Sequence, residues 1–522
     1  MSEFVWRMSP TQIGSRARNV IATVVVATVI AGAAALTTPF SPFPPSPPSS
    51  GTANIWVDTN GGTCADSTTL ISYPNNGTEC ATLAAAVAAA EPGDVVGMNV
   101  GVYPGETIAY RASLQNLVPG CDPYGKWGTA STTNCIHVIN DGDVTIRGLV
   151  NNASSLWVEG TDPGSCSSKA TCDARTYDFH ITNSDLIGNP PAGAATDANC
   201  NCKSATFRAA RPSITSNDTR RPDHVIWDGI DSDTLGVWAS SNVYVRNADV
   251  GPMWFDTSIR GDSSGSGPDV PVIRSTCAAC APLNIFYEGV YFHEMNRTFW
   301  CDVNNACHPD GLFISNGTTV TLKNVAFSQI AGEVLFFENF NGGIGVTNFT
   351  MENSWFGCKV DSYPDDPANA RTTCGSGASI DFKNCGSCDN FLLRFNSWHS
   401  IEGAEVSWTN ARFVGNAGRQ PPSTSVLCTA NSWTSNVFYT VANGGNCGAS
   451  NSNTGSSSIG SLFSNGSPGS ENFHLAGAAG STLADDFVAP GGSDSSLATD
   501  VDGETRPQDV NRDAGADERD SP

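Results

Sequence analysis

Short strand-like phrases recur between residues 140 and 440. In each, apolar and polar residues alternate up to an Asn or Gly, and a second short apolar stretch follows. Alternation with period two is typical of half-buried strands, and no segment between the phrases has a helical period. Single strands separated by loops of variable length favour a parallel β-solenoid over a sandwich or propeller. The clearest phrases are HVIWDGID from residue 224, NVYVRNADV from 242, NIFYEGVYF from 284, TVTLKNVAF from 319 and NFLLRFNSW from 390.

The N-terminal end of this region predicts a cap. IWVDTNGG from residue 55 reads as a strand and turn, and an Ala-rich helix over 81–90 is ended by Pro92 and Gly93. A short apolar helix in this place would cover the open end of a stacked core. Within the coils, Asn-Ser-Trp begins at Asn353, Asn396 and Asn431. Stacked copies of this Asn are expected to hydrogen-bond along the solenoid.

These residues resemble a known family. Gly93-Asp94 and Gly101-x-Tyr103 after the helix, and DVDGETRPQDVNRDAGADE at 500–518, are similar to the opening and closing segments of exported bacterial pectin-lyase-like proteins. The resemblance covers most of residues 54–518. It implies an all-β fold, a right-handed parallel β-helix over 54–470 with a capping helix and disulfide-stapled loops, followed by a closing segment and acidic tail over 471–522. That superfamily includes polysaccharide lyases, glycoside hydrolases and adhesins, so the fold alone does not fix an activity.

The N-terminus predicts export. Arg7, Arg16 and Arg18 precede seventeen uncharged, mostly apolar residues, 20–36. This pattern predicts a signal peptide over 1–36, with an uncleaved signal anchor as the alternative. The Pro-rich stretch 37–53 would act as an extended spacer. We therefore expect a secreted or surface-anchored protein whose contact with a membrane is limited to this segment.

Charge narrows the partners. The chain has 522 residues and a net charge of −24, which disfavours nucleic acid and anionic lipid. Polyanionic polysaccharide would need bridging cations. The expected partner is an extracellular polysaccharide, and the expected state is a monomer.

All 18 cysteines follow residue 63, and an even number in an exported chain predicts disulfides. Most occur as close neighbours that would staple local loops. A zinc half-site at Cys277-x-x-Cys280 or Cys385-x-x-Cys388 is the alternative for these two motifs. The close pairs are Cys64/Cys80, Cys121/Cys135, Cys166/Cys172, Cys301/Cys307, Cys358/Cys374 and Cys428/Cys447.

Three acidic residues share an acid-x-Leu pattern ahead of successive strands. Aligning the coils on Val243 and Val320 places Asp233 over Asp310, and aligning Leu312 with Leu335 adds Glu333. Adjacent coils rise by about 4.8 Å, so Asp310 and Glu333 are expected to face one another at roughly 5 Å. His308, two residues before Asp310, would share its face.

Three interpretations of this motif remain open. In the first, Asp310 caps a turn and His308 is a surface residue. In the second, Asp310 and Glu333, with His308 beside them, form a catalytic carboxylate pair whose spacing predicts retention of configuration in a glycoside hydrolase. In the third, Asp310 and Glu333 bind calcium. No cofactor other than calcium is indicated.

The surroundings suggest a sugar site. Trp300, His293 and Asp233 are candidates for substrate binding, although packing is the alternative role for each. A lyase would need a basic residue, for which Lys323 and Arg297 are the nearby candidates. The function predicted from the sequence is therefore engagement, and cleavage by hydrolase or lyase chemistry, of extracellular polysaccharide. The alternative is a non-catalytic structural or adhesion protein of the cell surface.

Overall fold

The computed structural model describes most of the region from residue 51 onward and not residues 1–50. The described residues are 51–74, 76–181, 213–214, 222–238, 240–255, 272–274, 281–297, 310–315, 317–337, 345–360, 374, 379–382, 388–402, 410–419, 421, 426–439, 447–448, 450–454, 456, 458–476, 499–502 and 513–516. Signal segment 1–36 and most of spacer 37–53 lie outside this part. In the described residues, no helix is long and apolar enough to cross a membrane.

Parallel strands from successive coils form the sheet that we call sheet 1. Each strand pairs in register with its counterpart in the next coil, as Val243 does with Ile285 and Ile285 with Val320. The strands of sheet 1 are Ile55–Val57, Val95–Tyr103, Ile136–Ile146, Leu156–Glu159, Asp223–Asp228, Ser241–Arg246, Leu283–Glu288, Gly317–Lys323, Val346–Glu352, Leu392–Arg394, Arg412–Val414 and Ser432–Thr434.

In each coil the chain turns one corner after its sheet 1 strand and enters sheet 2. Sheet 3 forms the third face. Val95–Tyr103 and Ile136–Ile146 run through sheets 1 and 2, which together comprise 22 strands. The other strands of sheet 2 are Phe179–Ile181, Asp231–Ser232, Asp249–Val250, Tyr291–His293, Ala326–Ser328, Trp355–Phe356, Ser397–Trp398, Ala417–Arg419, Val437–Tyr439 and Ser452–Asn453. The 9 strands of sheet 3 are Glu106–Ile108, Leu149–Asn151, Ser213–Ile214, Gly236–Trp238, Val272–Arg274, Leu312–Ile314, Leu335–Phe337, Ile380–Phe382 and Ile401–Glu402.

These three stacked faces confirm the predicted right-handed parallel β-helix fold. The predicted phrases are coils in which a sheet 1 strand, a corner and a sheet 2 strand follow one another. Asn or Gly often occupies the corner because the backbone there is left-handed: φ is 49° at Asn247, 68° at Gly289 and 51° at Asn324. Short strand pairs accompany the coils at Thr52–Ala53 with Ile71–Ser72, Met253–Phe255 with Met295–Arg297, and Phe463–Asn465 with Asn472–Leu475.

The interior of the coil is built from repeated apolar positions. Phe292 stacks on Phe327 with ring centroids 4.8 Å apart, and Phe327 stacks on Phe356 at 4.9 Å. These separations match the spacing of neighbouring strands, so identical positions in successive coils form aromatic columns. Each buried Phe contributes about 1.5–3 kcal/mol relative to exposure.

A buried asparagine ladder runs along the corner after sheet 1, but it differs from the predicted one. Asn396, Asn416, Asn436 and Asn451 form it, and each of the first three donates a side-chain N–H to the next Oδ1 at 2.9–3.0 Å. Asn353 lies one residue out of register, at a left-handed corner with φ 49°, and Asn431 precedes its strand. The Asn-Ser-Trp repeat therefore occurs once in each of three coils, but its Asn does not occupy the same structural position in all of them.

The N-terminal cap is confirmed as a helix at Leu83–Ala89. The Thr82 hydroxyl accepts the Ala85 N–H, and Leu83, Ala86 and Val87 are buried against the first coil. Further short helices lie at Lys169–Asp173 and Val426–Ala430, and 3₁₀ turns lie at Ala112–Leu114 and Ile459–Ser461.

The closing segment packs along the corner between sheets 1 and 2. The Gly515 N–H donates to Gly415 O at 2.8 Å, and the Ala516 N–H donates to Ser397 Oγ at 3.0 Å. Val501 and Ala514 are buried there as well. The segment that resembles the family's closing motif therefore shields the outer side of the coil.

Local disulfides staple the loops, as predicted. The described bonds are Cys64–Cys80, Cys121–Cys135, Cys166–Cys172, Cys358–Cys374 and Cys428–Cys447. Cys388 is also disulfide-bonded, which removes it from the alternative zinc site. Cys277, Cys280, Cys301, Cys307 and Cys385 lie outside the described residues.

Candidate active site

The predicted carboxylate pair, Asp310 and Glu333, lies ahead of two adjacent strands of sheet 3, and we call it the corner pair. Leu312 and Leu335 pair in register, which confirms the alignment of the two coils. Asp310 is 2% exposed, and its Oδ1 accepts the Glu333 N–H at 3.0 Å. A hydrogen bond also joins the two carboxyl groups. They therefore lie closer together than the predicted separation of about 5 Å, because Asp310 is drawn onto the backbone of the next coil.

The two carboxyl groups of the corner pair titrate in opposite directions. Burial raises the pKa of Asp310 well above its usual range, and the charge of Glu333 raises it further. Burial opposes ionisation of Glu333 too, but Lys359 and the hydrogen bond from Asp310 outweigh it and lower its pKa to about 2. Lys359 Nζ lies 2.9 Å from Glu333 Oε1. The proton of the pair is therefore favoured on Asp310, and Lys359 is the counterion of Glu333.

Calcium binding by Asp310 and Glu333 remains a prediction. The ion takes six to eight oxygen ligands, whereas Asp310 already accepts the Glu333 N–H and Glu333 is bound to Lys359. The ammonium group already supplies the positive charge that a calcium ion would bring.

The other predicted site residues are dispersed. Asp233 stands two coils before Asp310, since Gly236 pairs with Val272 and Val272 with Phe313. His293 lies on sheet 2, where its Nε2 is 2.7 Å from Asp249 Oδ1. Burial disfavours its charge, yet Asp249 and Glu294 raise the pKa of His293 to about 10. His293 is therefore an imidazolium held between carboxylates. His308 and Trp300 lie outside the described residues.

The candidate base Lys323 is unsuited to lyase chemistry. Its Nζ is 3.0 Å from Glu288 Oε1. Burial opposes its charge, but Glu288 outweighs burial and raises the pKa of Lys323. A lysine that must accept a proton needs a lowered pKa.

Among the tryptophans of the coils, Trp355, Trp398 and Trp433 are buried and serve packing. The cluster of Cys358, Cys374 and His399 holds a disulfide, so its sulfurs are not metal ligands.

A second pair of carboxylates, which the sequence analysis missed, ends two adjacent strands of sheet 1. Glu159 pairs in register with Asp228, and Asp228 with Arg246. Strand neighbours lie about 4.8 Å apart and their side chains point to the same side of the sheet. We call Glu159 and Asp228 the groove pair.

The two members of the groove pair bond to different partners. Glu159 Oε2 lies 2.7 Å from His137 Nε2, and His137 stacks on Trp157 with centroids 3.7 Å apart. Asp228 Oδ2 accepts from Arg246 Nη1 at 2.8 Å and from the Tyr124 hydroxyl. Unlike the corner pair, these carboxyl groups do not bond to one another in the described contacts.

A cavity of about 390 Å³ opens beside the groove pair. Asp228 lines it and is 3% exposed, and its Oδ1 has no hydrogen-bond partner among the described residues. Burial raises the pKa of Asp228 to about 6, with Arg246 and Tyr124 opposing the rise and Glu159 adding to it. An aspartic acid near this pKa can donate a proton at mildly acidic pH. The residues that line the cavity are Ile139, Asn140, Gly142, Glu159, Gly160, Thr161, Asp162, Asp178, Asp228 and Arg246.

The sequence carried a signal for the groove pair. Both strands end in an acid followed by Gly, as VEG at 158–160 and WDG at 227–229. A third copy, YEG at 287–289, ends the strand at Glu288. Glu159 and Asp228 are far apart in the sequence, so only the sheet register shows that their strands are neighbours.

The stacked parallel sheets define a parallel β-helix protein, and this fold is the one that the resemblance implied. Pectate lyase Pel9A aligns with 12% identity and a TM-score of 0.41, over 89% of this chain and 96% of that one. A rhamnogalacturonan lyase aligns with 12% identity and a TM-score of 0.34, over 79% and 90%. PfbA, a surface adhesin of Streptococcus pneumoniae, aligns with 12% identity and a TM-score of 0.33, over 67% and 72%. Neither a family model nor a curated protein sequence matches the chain.

Proposed function

We propose that this chain is an exported β-helix protein that binds extracellular polysaccharide and hydrolyses it at the groove pair. The observation that carries the proposal is a buried acid, Asp228, with a pKa of about 6. It lies beside a second carboxylate and a cavity of about 390 Å³. Two carboxyl groups about 5 Å apart, one serving as the acid and the other as the nucleophile, are the machinery of retaining glycosidases.

The reaction assigns one role to each carboxyl group. Asp228, protonated on its unpartnered Oδ1, donates that proton to the glycosidic oxygen as the bond to the anomeric carbon breaks. Glu159, held at Oε2 by His137, attacks the anomeric carbon through Oε1 and forms a glycosyl ester. Water then attacks the anomeric carbon of this glycosyl ester, gives a proton to the Asp228 carboxylate and releases the Glu159 carboxylate as the leaving group. Two inversions at one carbon give net retention.

The disulfides and the shape of the coil support an extracellular protein that binds polysaccharide. The five described disulfides fit an oxidising, extracellular compartment. The outer side of a solenoid is an extended surface that suits a linear polymer. Secretion or surface anchoring, and the monomeric state, remain proposals that follow from the N-terminal segment and the fold.

The catalytic role predicted for Asp310, Glu333 and His308 remains a prediction. Direct contact between the carboxyl groups of Asp310 and Glu333 leaves no room for a sugar between them. The contact from Asp310 to the Glu333 N–H favours the turn-capping role that was the first alternative. Substrate contacts by Trp300, His293 and Asp233 likewise remain predictions.

A non-catalytic role at the cell surface is the second candidate. Both groove carboxylates are held by partners, His137 for Glu159 and Arg246 for Asp228, and such an arrangement also suits binding without turnover. This candidate predicts glycan binding with no release of reducing ends.

The deciding experiment is an assay of reducing-end release on a panel of neutral, amino and uronic polysaccharides. Wild type and Glu159→Gln are compared with Glu352→Gln, a matched control whose carboxylate is paired with Arg394 at 2.7 Å on the same sheet. We expect the Glu159→Gln protein to lose about 10²–10⁴-fold in activity and the control to retain it. Products should keep the anomeric configuration. Activity that survives Glu159→Gln would overturn the assignment.

A further inference from the structure

The residues that line the cavity beside the groove pair include more carboxylates than basic side chains. Glu159, Asp162, Asp178 and Asp228 line it, whereas Arg246 is the basic residue among the described lining residues. Arg246 is already bound to Asp228 at 2.8 Å and lies 3.9 Å from Asp162. A ligand that brought its own carboxylate would meet no uncommitted positive charge among these residues.

The polar donors around the cavity are also committed. Asn140 Nδ2 donates to Gly142 O at 2.7 Å and to Asp178 O at 3.1 Å. The Thr161 N–H donates to Asp178 Oδ1 at 2.9 Å, and its hydroxyl donates to the same carboxylate. Asp178 is thereby satisfied by its own loop. The wall consequently offers acceptors to a ligand rather than donors.

Two acceptors remain for a ligand. Asp228 Oδ1 is buried without a partner in the described part of the chain, on a side chain that is nine-tenths buried or more. A buried unpartnered acceptor is unusual and points to a missing ligand group or water. Asp162 lies at the rim with its side chain 54% exposed. Its Oδ1 accepts the Gly164 N–H at 3.0 Å and an Asn247 Nδ2–H at 3.2 Å. Its Oδ2 has only Arg246, at 3.9 Å, as a counterion in the described contacts.

We propose that the cavity takes a sugar unit that bears an ammonium group, with Asp162 binding the ammonium at the rim and Asp228 facing the glycosidic oxygen. The substrate class is therefore a polymer that contains 2-amino-2-deoxy sugars with free amino groups, and uronic acid polymers are rejected by the surplus of carboxylates. This inference rests on the proposed function in taking the ligand to be a glycan. A volume near 390 Å³ falls in the range of small-ligand sites.

The test is calorimetric binding to the full chain at pH 5.5, where the amino groups of glucosamine carry a proton. The probes are the trimer of glucosamine, the trimer of N-acetylglucosamine and the trimer of galacturonic acid, with 1,4-diaminobutane and Ca²⁺ as separate arms. Asp162→Asn is the test variant. Asp173→Asn is its matched control, because Asp173 is 45% exposed and is paired with Lys169 on the short helix Lys169–Asp173, outside the cavity lining.

We expect the glucosamine trimer to bind about tenfold more tightly than its acetylated counterpart, and this preference should disappear in the Asp162→Asn protein but persist in the control. Galacturonate should not bind. Equal or tighter binding of the acetylated or uronic trimer would overturn the inference, as would diaminobutane or Ca²⁺ competing as well as the sugar. Binding of glucosamine without any turnover would reject hydrolysis and leave the inference standing. Turnover confined to neutral glycans would reject the inference alone.

Discussion

The corner pair and the groove pair are built by the same rule and behave differently. In each, two acids occupy equivalent positions of adjacent coils, so the backbone alone brings them to within one strand spacing. Asp310 and Glu333 bond to one another, and Glu333 is also bound to Lys359. Glu159 and Asp228 each bond outward, to His137 and to Arg246. The partners of the carboxyl groups, more than the coil geometry, decide whether a ligand can enter between them.

The two pairs also differ in their access to a ligand. In the corner pair the two carboxyl groups bond to one another and Asp310 is 2% exposed. In the groove pair Asp228 is equally buried, but it lines a cavity and has a pKa of about 6. A buried pair of acids therefore indicates function only when two further facts are known: which carboxyl oxygens lack a hydrogen-bond partner, and whether a ligand can reach them.

The largest effect should come from changing the acid of each pair separately. Asp228→Asn removes the proposed proton donor, and we expect glycan hydrolysis to fall by about 10²–10⁴-fold. Asp310→Asn keeps an oxygen for the Glu333 N–H and should lower activity by less than about threefold. Initial rates on one substrate measure both. A larger loss for Asp310→Asn than for Asp228→Asn would reverse the roles of the two pairs.

The next largest effect concerns the cations. Arg246→Met leaves Asp228 buried without its guanidinium partner, and we expect the free energy of unfolding at pH 8 to fall by about 2–4 kcal/mol. Lys359→Met should cost about 1–2 kcal/mol, because Glu333 is 22% exposed at its side chain and water can screen it. Urea denaturation measures both values. In the Arg246→Met/Asp228→Asn double variant, most of the loss should be restored; no rescue would contradict the burial argument.

A pH dependence of stability should follow from Asp228. Its pKa in the folded chain, about 6, lies above its unfolded value of 3.8, so protonation favours the folded state. The stabilisation is complete below about pH 4 and is lost as pH rises through 6. The change should amount to roughly 2–3 kcal/mol across this window. Urea midpoints of wild type and Asp228→Asn, measured from pH 4 to 7.5, should converge at the acidic end, and parallel curves would show that Asp228 has an ordinary pKa.

The smallest effect should come from Tyr124. Its hydroxyl donates to Asp228 and lowers the pKa of that carboxyl group. Tyr124→Phe should therefore raise the pKa of Asp228 above 6 and shift the alkaline limb of the activity profile upward by a fraction of a pH unit, with a stability change of about 1 kcal/mol. Tyr110→Phe, in the preceding loop, serves as the control. A downward shift of the limb would contradict the assignment of Asp228 as the acid.

The sequence was sufficient for the coils because each coil repeats a local pattern. Alternation marks the strand, and Asn or Gly marks the left-handed corner. The register of Leu312 with Leu335 was also predictable, since the two strands follow one another closely. The register of Glu159 with Asp228 was not, because more than sixty residues of the chain separate them and alternation alone does not show which strands are neighbours.

The partners of the side chains could not be predicted from the sequence for a similar reason. No pattern near Glu333 predicts its ion pair with Lys359, which lies on the next coil. The asparagine ladder was expected at Asn353 and Asn431, but a shift of one residue at the corner turns Asn353 out of the ladder that Asn396 begins. Patterns predict which coil a residue belongs to, and register to within one residue decides what it touches.

The most direct test of the account is a crystal structure of the Asp228→Asn protein with glucosamine oligomers bound. The account predicts a sugar in the cavity, with its anomeric carbon next to Glu159 Oε1 and its ammonium at Asp162. Sugar density at Asp310 and Glu333 with an empty groove would contradict it, and would return the corner pair to the centre of the protein's function.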